Sequence, residues 1–318
     1  MIDKSIFRAY DIRGVYGQTL ADETFLKIGC VLGSKMKFVV GGDIRASSPA
    51  LAKALIAGLQ SKGAEIIYIG AASFGQTLFA GRHFKSDRTL FVTASHLPPE
   101  WNGLKIYYGD GISFNEHELK ELGDRVAEIS LPKLNDAHLN AIDIAERSSA
   151  DFAQQSIKKE YSDFMYKSFT ISKRLKIVLD CGSGATCLSA PELFKRFGHE
   201  VIEMNCTPDA RFPNRPAEPN PENIQDLVKK VLEVGADIGI AFDGDGDRSA
   251  VVCHNGKILT GNELGVLIGS KLLKNNRGAK VVRTVSCSML IDTEFAEHLA
   301  QFIMTPVGHT YVGNSVKT

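Results

Sequence analysis

At 318 residues the chain is long enough for two or three domains, each burying its own core. Its apolar content of 44% and charged content of 23% are those of an ordinary globular protein, and 37 basic residues balance 37 acidic ones. A net charge of zero argues against nucleic acid or an anionic membrane as the main partner, so an anionic ligand must be held by local Arg, Lys and backbone groups.

The start, Met1-Ile2-Asp3-Lys4, is charged and leads into no apolar segment, so no signal peptide is expected. No apolar run approaches membrane-spanning length. The six cysteines, Cys30, Cys181, Cys187, Cys206, Cys253 and Cys287, show neither a CxxC pair nor disulfide-like spacing, so reduced thiols in the cytoplasm are expected.

In chain order, Phe7 to Gly14 mixes charge and aromatics in a chain start, a place that is normally loose. Arg13 within it reads either as a phosphate contact or as one side of a surface salt bridge. The first clear strand is Lys37-Phe38-Val39-Val40, ending in Gly41-Gly42-Asp43 before a helical stretch from Ser48. Asp43 and Arg45 read as a cap and its partner around that helix. Strands follow at Glu65 to Ile69, Thr89 to Val92 and Lys105 to Tyr108. The pattern restarts at Lys176-Ile177-Val178-Leu179-Asp180, which leads through Cys181-Gly182-Ser183-Gly184 into a helix. Pro208 to Pro221 is proline-rich and reads as an extended loop. Ala236 to Phe242 reads as a buried strand. A third restart is Lys280-Val281-Val282-Arg283, before a helical stretch from Met289 to Leu299.

This alternation predicts an α/β fold of tandem related domains with mixed, mostly parallel sheets. The expected units are residues 1–150, 151–256 and an incomplete third at 257–318. The first boundary is expected near 145–155, ahead of a helix-like stretch from Asp151 to Ser168, and the second near His254-Asn255-Gly256.

Two motifs carry chemistry. Asp243-Gly244-Asp245-Gly246-Asp247-Arg248 follows a strand, where open α/β sheets place ligands. Three like charges in five residues repel unless a cation is present, and such hard oxygen donors suit Mg²⁺. A solvated acidic turn explains the run poorly, and an EF-hand loop would need an acid where His254 stands. The second motif is Thr93-Ala94-Ser95-His96 at a strand end, with Asn102-Gly103 and Lys105 following. An isolated Ser-His pair is usually a turn or cap, His96 makes a poor triad base, and GxSxG is absent. Ser95 gains interest from the acidic run as activator and from Lys105 as an acid or base. Gly308-His309 reads as a loop, where a lone histidine is ordinarily structural.

Together these motifs resemble the α-D-phosphohexomutase family, in its phosphomannomutase/phosphoglucomutase branch. Phe7 to Gly14 is similar to that branch's opening signature, Thr93 to Lys105 to its phosphoserine loop and Asp243 to Arg248 to its metal loop. Pro219-Asn220-Pro221-Glu222 and Val307-Gly308-His309 add weaker likeness. The resemblance implies that Ser95 carries a phosphoryl group and that Asp243, Asp245 and Asp247 bind Mg²⁺ together with that phosphate. It further implies a hexose 1,6-bisphosphate intermediate, Lys105 as acid/base, Arg13 and Arg248 at phosphate, and His309 at the sugar.

Three departures stand out. Leu97 replaces the usual Asn after the histidine, Ser73 to Thr77 lacks the usual proline-rich form, and a sugar-recognition loop and fourth domain would follow Thr318. On that last ground the chain alone is expected to be a poor mutase, completed by a possible second chain that supplies the phosphate-binding domain. A Mg²⁺-dependent sugar-phosphate phosphatase and a non-catalytic sugar-phosphate-binding relative are the competing readings.

Overall fold

The computed structural model describes residues 2–130 and 156–316. The expected boundary at 145–155 and the start of the expected helix at Asp151 lie outside the described residues.

The first sheet contains β1 (Ile12–Val15), β2 (Lys37–Gly42), β3 (Glu65–Ala71), β4 (Arg88–Val92) and β5 (Trp101–Tyr108), in the order β1-β5-β4-β2-β3. β2 runs parallel to both β3 and β4, while β5 runs antiparallel to β4 and β1. Side chains alternate along β2 with the period of two that strands impose. Phe38 and Val40 enter the core made with α1 (Asp22–Leu32), α2 (Ser48–Gln60) and α4 (Glu116–Glu128). Val39 faces the other way and packs with Ala80 of α3 (Phe74–His83) and Ile157 of α5 (156–168). Each such fully buried side chain contributes about 1.5–3 kcal/mol. α4 starts at a capping box between Asn115 and Glu118, which satisfies helix-end N–H groups that would otherwise lack partners.

The second sheet contains β6 (Lys176–Asp180), β7 (Glu200–Met204), β8 (Ile238–Phe242) and β9 (Ser249–Cys253), in the order β7-β6-β8-β9. β6 is parallel to β7 and β8, and β8 is antiparallel to β9. This repeats the first sheet's order β3-β2-β4-β5 strand for strand, so the recurring pattern in the sequence is a recurring topology. The short helix α6 (Ala190–Arg196) precedes β7. Leu227 and Val231 of α7 (Gln225–Val234) pack on Val178 and Val252. Among the described residues the third sheet is a parallel pair, β10 (Lys280–Thr284) and β11 (Gln301–Thr305), packed with α8 (Gly261–Leu273), α9 (Met289–Ala296) and α10 (His309–Val316).

Expectation and structure agree on an α/β fold with mixed, mostly parallel sheets. Three local expectations need correction. The segment from Phe7 is not loose, because residues 12–15 pair with β5. The strand carrying Lys105 begins earlier, at Trp101, because that pairing draws Asn102 and Gly103, poor strand formers, into the sheet. His309 opens α10 rather than lying in a loop. No helix among the described residues is long and apolar enough to cross a membrane.

Candidate functional site

β2, β4 and β8 all end at one place, and the loops leaving them meet there. After β4 the chain turns through Ser95, which is almost fully buried and holds φ of 53°. That left-handed conformation is uncommon for a residue with a side chain and persists only where surroundings impose it. The Ser95 N–H donates to Thr93 Oγ1 at 2.8 Å, and the Ser95 carbonyl accepts from Arg45 Nη2 at 2.9 Å. The hydroxyl is thereby aimed across the cleft and donates to Asp243 Oδ2 at 2.8 Å.

The acidic run after β8 is not a solvated turn. Asp243 and Asp245 are fully buried and only Asp247 is exposed. Asp243 Oδ1 accepts the backbone N–H groups of Gly246 and Arg248, which fold the loop around that carboxylate. Asp245 Oδ2 accepts from Lys105 Nζ at 2.9 Å and lies 3.1 Å from Thr93 Oγ1. Lys105 also donates to Asp247 Oδ2, and its ammonium sits 4.7 Å from the centre of the Phe74 ring.

The electrostatics divide the three acids. Burial, followed by the neighbouring charges of Asp245 and Asp247, pushes Asp243 well above the ordinary carboxylate range. Burial acts the same way on Asp245, but the charge and hydrogen bond of Lys105 outweigh it and the net shift is downward. Lys105 is itself held protonated by Asp245 and Asp247 against an opposing effect of burial.

One oxygen from each aspartate lies within 4.8 Å of the others. Asp245 Oδ1 is buried with no hydrogen-bond partner among the described residues. An orphaned carboxylate oxygen in a dry site is costly. A hard divalent cation would satisfy it and relieve the repulsion that drives Asp243 toward its neutral form. The donor set therefore fits such a cation.

The site opens on a cleft of about 550 Å³ lined by Arg13, Ser95, Lys105, Asp247, Arg248 and His309. All eight candidate residues thus converge on one site: these six border the cleft, and Asp243 and Asp245 lie directly behind Ser95 and Lys105. Arg13 is largely buried, bonding Asp11 Oδ2 and the Ala94 carbonyl at 2.7 Å each. Arg248 Nη2 lies 3.3 Å from Ser95 Oγ, and its Nη1 donates to Glu218 Oε1 at 2.8 Å. His96 does not bond Ser95; its ring contacts Arg248 and lies 3.5 Å from Glu218. His309 is exposed, 5.8 Å ring to ring from Tyr10, whose hydroxyl donates to the Val307 carbonyl. A larger cavity of about 680 Å³ between α5 and α6 contains neither Ser95 nor the acidic loop, and its cations Lys158, Lys159, Lys195 and Arg196 are each ion-paired.

Sequence reasoning missed several participants. Asp43 and Arg45 are not merely a cap and its partner, because both are buried against the serine loop. Tyr10, Glu218 and Arg215 were equally invisible. Arg215 bonds Asp180 and the Phe242 carbonyl, directly before Asp243. The acid and arginine of Asp43-Ile44-Arg45 are visible after the strand, but a surface pair would read the same way.

Comparison with known proteins gives consistent results. Residues 4–133, 159–256 and 260–318 match family models described as phosphoglucomutase/phosphomannomutase, alpha/beta/alpha domains I, II and III. A phosphomannomutase/phosphoglucomutase of Pseudomonas putida is 35% identical over 98% of this chain and 66% of its own length. A phosphoglucomutase of Neisseria gonorrhoeae is 30% identical over 99% of this chain and 67% of its own. The crystal structure of a phosphoglucomutase/phosphomannomutase family protein from Burkholderia thailandensis superimposes with a TM-score of 0.87 at 29% identity, covering 100% of this chain and 69% of that one. The chain thus spans about two thirds of the length of these relatives.

Proposed function

Because the chain belongs to the phosphoglucomutase/phosphomannomutase family, we propose that it is a phosphohexomutase in which Ser95 carries the phosphoryl group. Its reaction is the interconversion of hexose 6-phosphate and hexose 1-phosphate through a hexose 1,6-bisphosphate. The observation that carries this reading is the Ser95 hydroxyl, 2.8 Å from Asp243 Oδ2, beside an orphaned Asp245 oxygen.

In the forward half, a sugar hydroxyl attacks phosphoserine. The Ser95 Oγ–P bond breaks, the sugar O–P bond forms, and the proton lost by the sugar ends on Ser95 Oγ. We assign Lys105, which lines the same cleft and is held protonated, to give its proton to the departing Ser95 Oγ and to take up the sugar's proton in its place. The return half transfers the other phosphate of the bisphosphate to Ser95. Mg²⁺ held by Asp243, Asp245, Asp247 and the phosphoserine would supply charge neutralisation at the transferring phosphoryl. Arg13 and Arg248 contact phosphate, and His309 contacts the sugar at the cleft mouth.

The same proposal includes units bounded at 1–150, 151–256 and 257–318, and residence in the cytoplasm, which suits six free cysteines. A second chain that completes the site is not part of it.

The test is label transfer from radiolabelled glucose 1,6-bisphosphate with Mg²⁺. The parent should take up one phosphoryl group, mapped to Ser95 by peptide mass, and Ser95→Ala should take up none. Label that persists in Ser95→Ala would sink the assignment.

A further inference from the structure

Arg45 follows β2 and sits at 0% side-chain exposure, behind the reacting groups rather than in the cleft. A guanidinium has five N–H donors in a rigid plane, and here all five are used. Nε donates to Asp43 Oδ2 at 3.0 Å. Nη1 donates to the carbonyls of Pro98 and Trp101 at 2.5 and 3.1 Å. Nη2 donates to those of Ser95 and Leu97 at 2.9 and 2.6 Å. Four carbonyls of one turn therefore converge on one side chain. The guanidinium also lies 5.1 Å from the centre of the Phe212 ring.

Asp43 orients this fork and extends it. Its Oδ1 accepts the Arg45 N–H and the Ser48 hydroxyl, and its Oδ2 lies 2.8 Å from Thr93 Oγ1. Thr93 in turn accepts the Ser95 N–H. Both backbone groups of Ser95 are thus tied to the same acid, its carbonyl through Arg45 and its N–H through Thr93. This is the kind of over-determined surrounding that a left-handed serine requires.

We propose that Arg45 is a positioning residue: it clamps the turn 95–101 and so sets the direction in which the Ser95 hydroxyl meets Asp243. The proposal rests on the phosphoserine reading above for its catalytic consequence, but not for the clamp itself. Lysine offers three donors from a single point and cannot span four carbonyls and a carboxylate.

The experiment compares the full chain with Arg45→Lys by two readouts. In hydrogen exchange, amides of 95–101 should exchange at least about tenfold faster in the variant, while those of β2 and β4 stay unchanged. In single-turnover label transfer from glucose 1,6-bisphosphate, the rate should fall on the order of a hundredfold, as expected for a misplaced reacting group, at unchanged half-saturating bisphosphate. If circular dichroism shows that Arg45→Lys does not fold, the charge-neutral variant Arg45→Gln/Asp43→Asn takes its place. Parent-like exchange at 95–101 overturns the clamp, and so does a parent-like transfer rate. A parent that takes no label overturns the phosphoserine reading instead, and the exchange comparison then decides the clamp by itself.

Discussion

Ser95 and Asp243 stand 148 positions apart, yet the serine hydroxyl bonds the carboxylate at 2.8 Å. The contact joins the loop after β4 to the loop after β8, the corresponding strands of two sheets with the same order. Equivalent ends of a repeated unit therefore face each other across one site. Asp243→Asn, Asp245→Asn and Asp247→Asn should each weaken Mg²⁺ binding at least tenfold, or about 1.4 kcal/mol, because each removes a charged hard donor. Calorimetry on the variants checks this, and a triple variant that binds Mg²⁺ like the parent would refute it.

Among the described residues Lys105 is the only side-chain cation bonded to Asp245, and both groups are buried. Lys105→Met should destabilise the metal-free protein by about 3–5 kcal/mol, since it leaves an uncompensated buried carboxylate. Mg²⁺ should then raise the melting temperature of Lys105→Met by more than it raises that of the parent. Equal increments in thermal melts would show that Lys105 does not share the work of neutralising the acids.

The fold and the acidic loop were legible because their signals are local. Apolar runs such as Lys176 to Asp180 and alternating Asp-Gly pairs need no distant partner to be recognised. β1 was hidden because Ile12–Val15 is extended by pairing with β5 and not by its own composition. Arg45 was hidden for a related reason. Its five acceptors come from a turn about fifty residues away and from a neighbouring acid, and nothing in Asp43-Ile44-Arg45 distinguishes a buried clamp from a surface pair. Lys105 stood among the candidate site residues but was placed at a strand start, since Asn102 and Gly103 mask the strand around it.

The raised pKa of Asp243 gives a pH signature with a definite sign. Burial, then Asp245 and Asp247, lift its folded value above the ordinary 3.8. The folded state therefore binds this proton more tightly than the unfolded state does. The resulting stabilisation is complete below about 3.8 and is lost as pH rises through the raised folded value. Metal-free parent should thus lose stability, relative to Asp243→Asn, as pH is raised from acid toward neutral. Saturating Mg²⁺ should abolish that difference by favouring the carboxylate. Urea midpoints across pH for both proteins measure it, and parallel curves without metal would contradict the assignment of Asp243 as the strained acid.

At Gly244 the acidic loop packs closely against the serine loop. A Cβ built there would lie 2.4 Å from the Ser95 carbonyl oxygen, which Arg45 also holds. Relief of that clash would push apart the two loops that the Ser95–Asp243 bond joins. Gly244→Ala should therefore cost at least about 2 kcal/mol and weaken Mg²⁺ binding, although the new methyl group adds no charge. Gly261 supplies the contrast. It is the first residue of α8, and a Cβ there meets nothing within 4 Å. Gly261→Ala should be neutral or stabilise by up to about 1 kcal/mol, through reduced freedom of the unfolded chain, and should leave metal affinity unchanged. Thermal melts and Mg²⁺ calorimetry on the two variants separate the effect of an added methyl group from the effect of its position. Parent-like metal binding by Gly244→Ala would mean that the two loops can part without disturbing the acids.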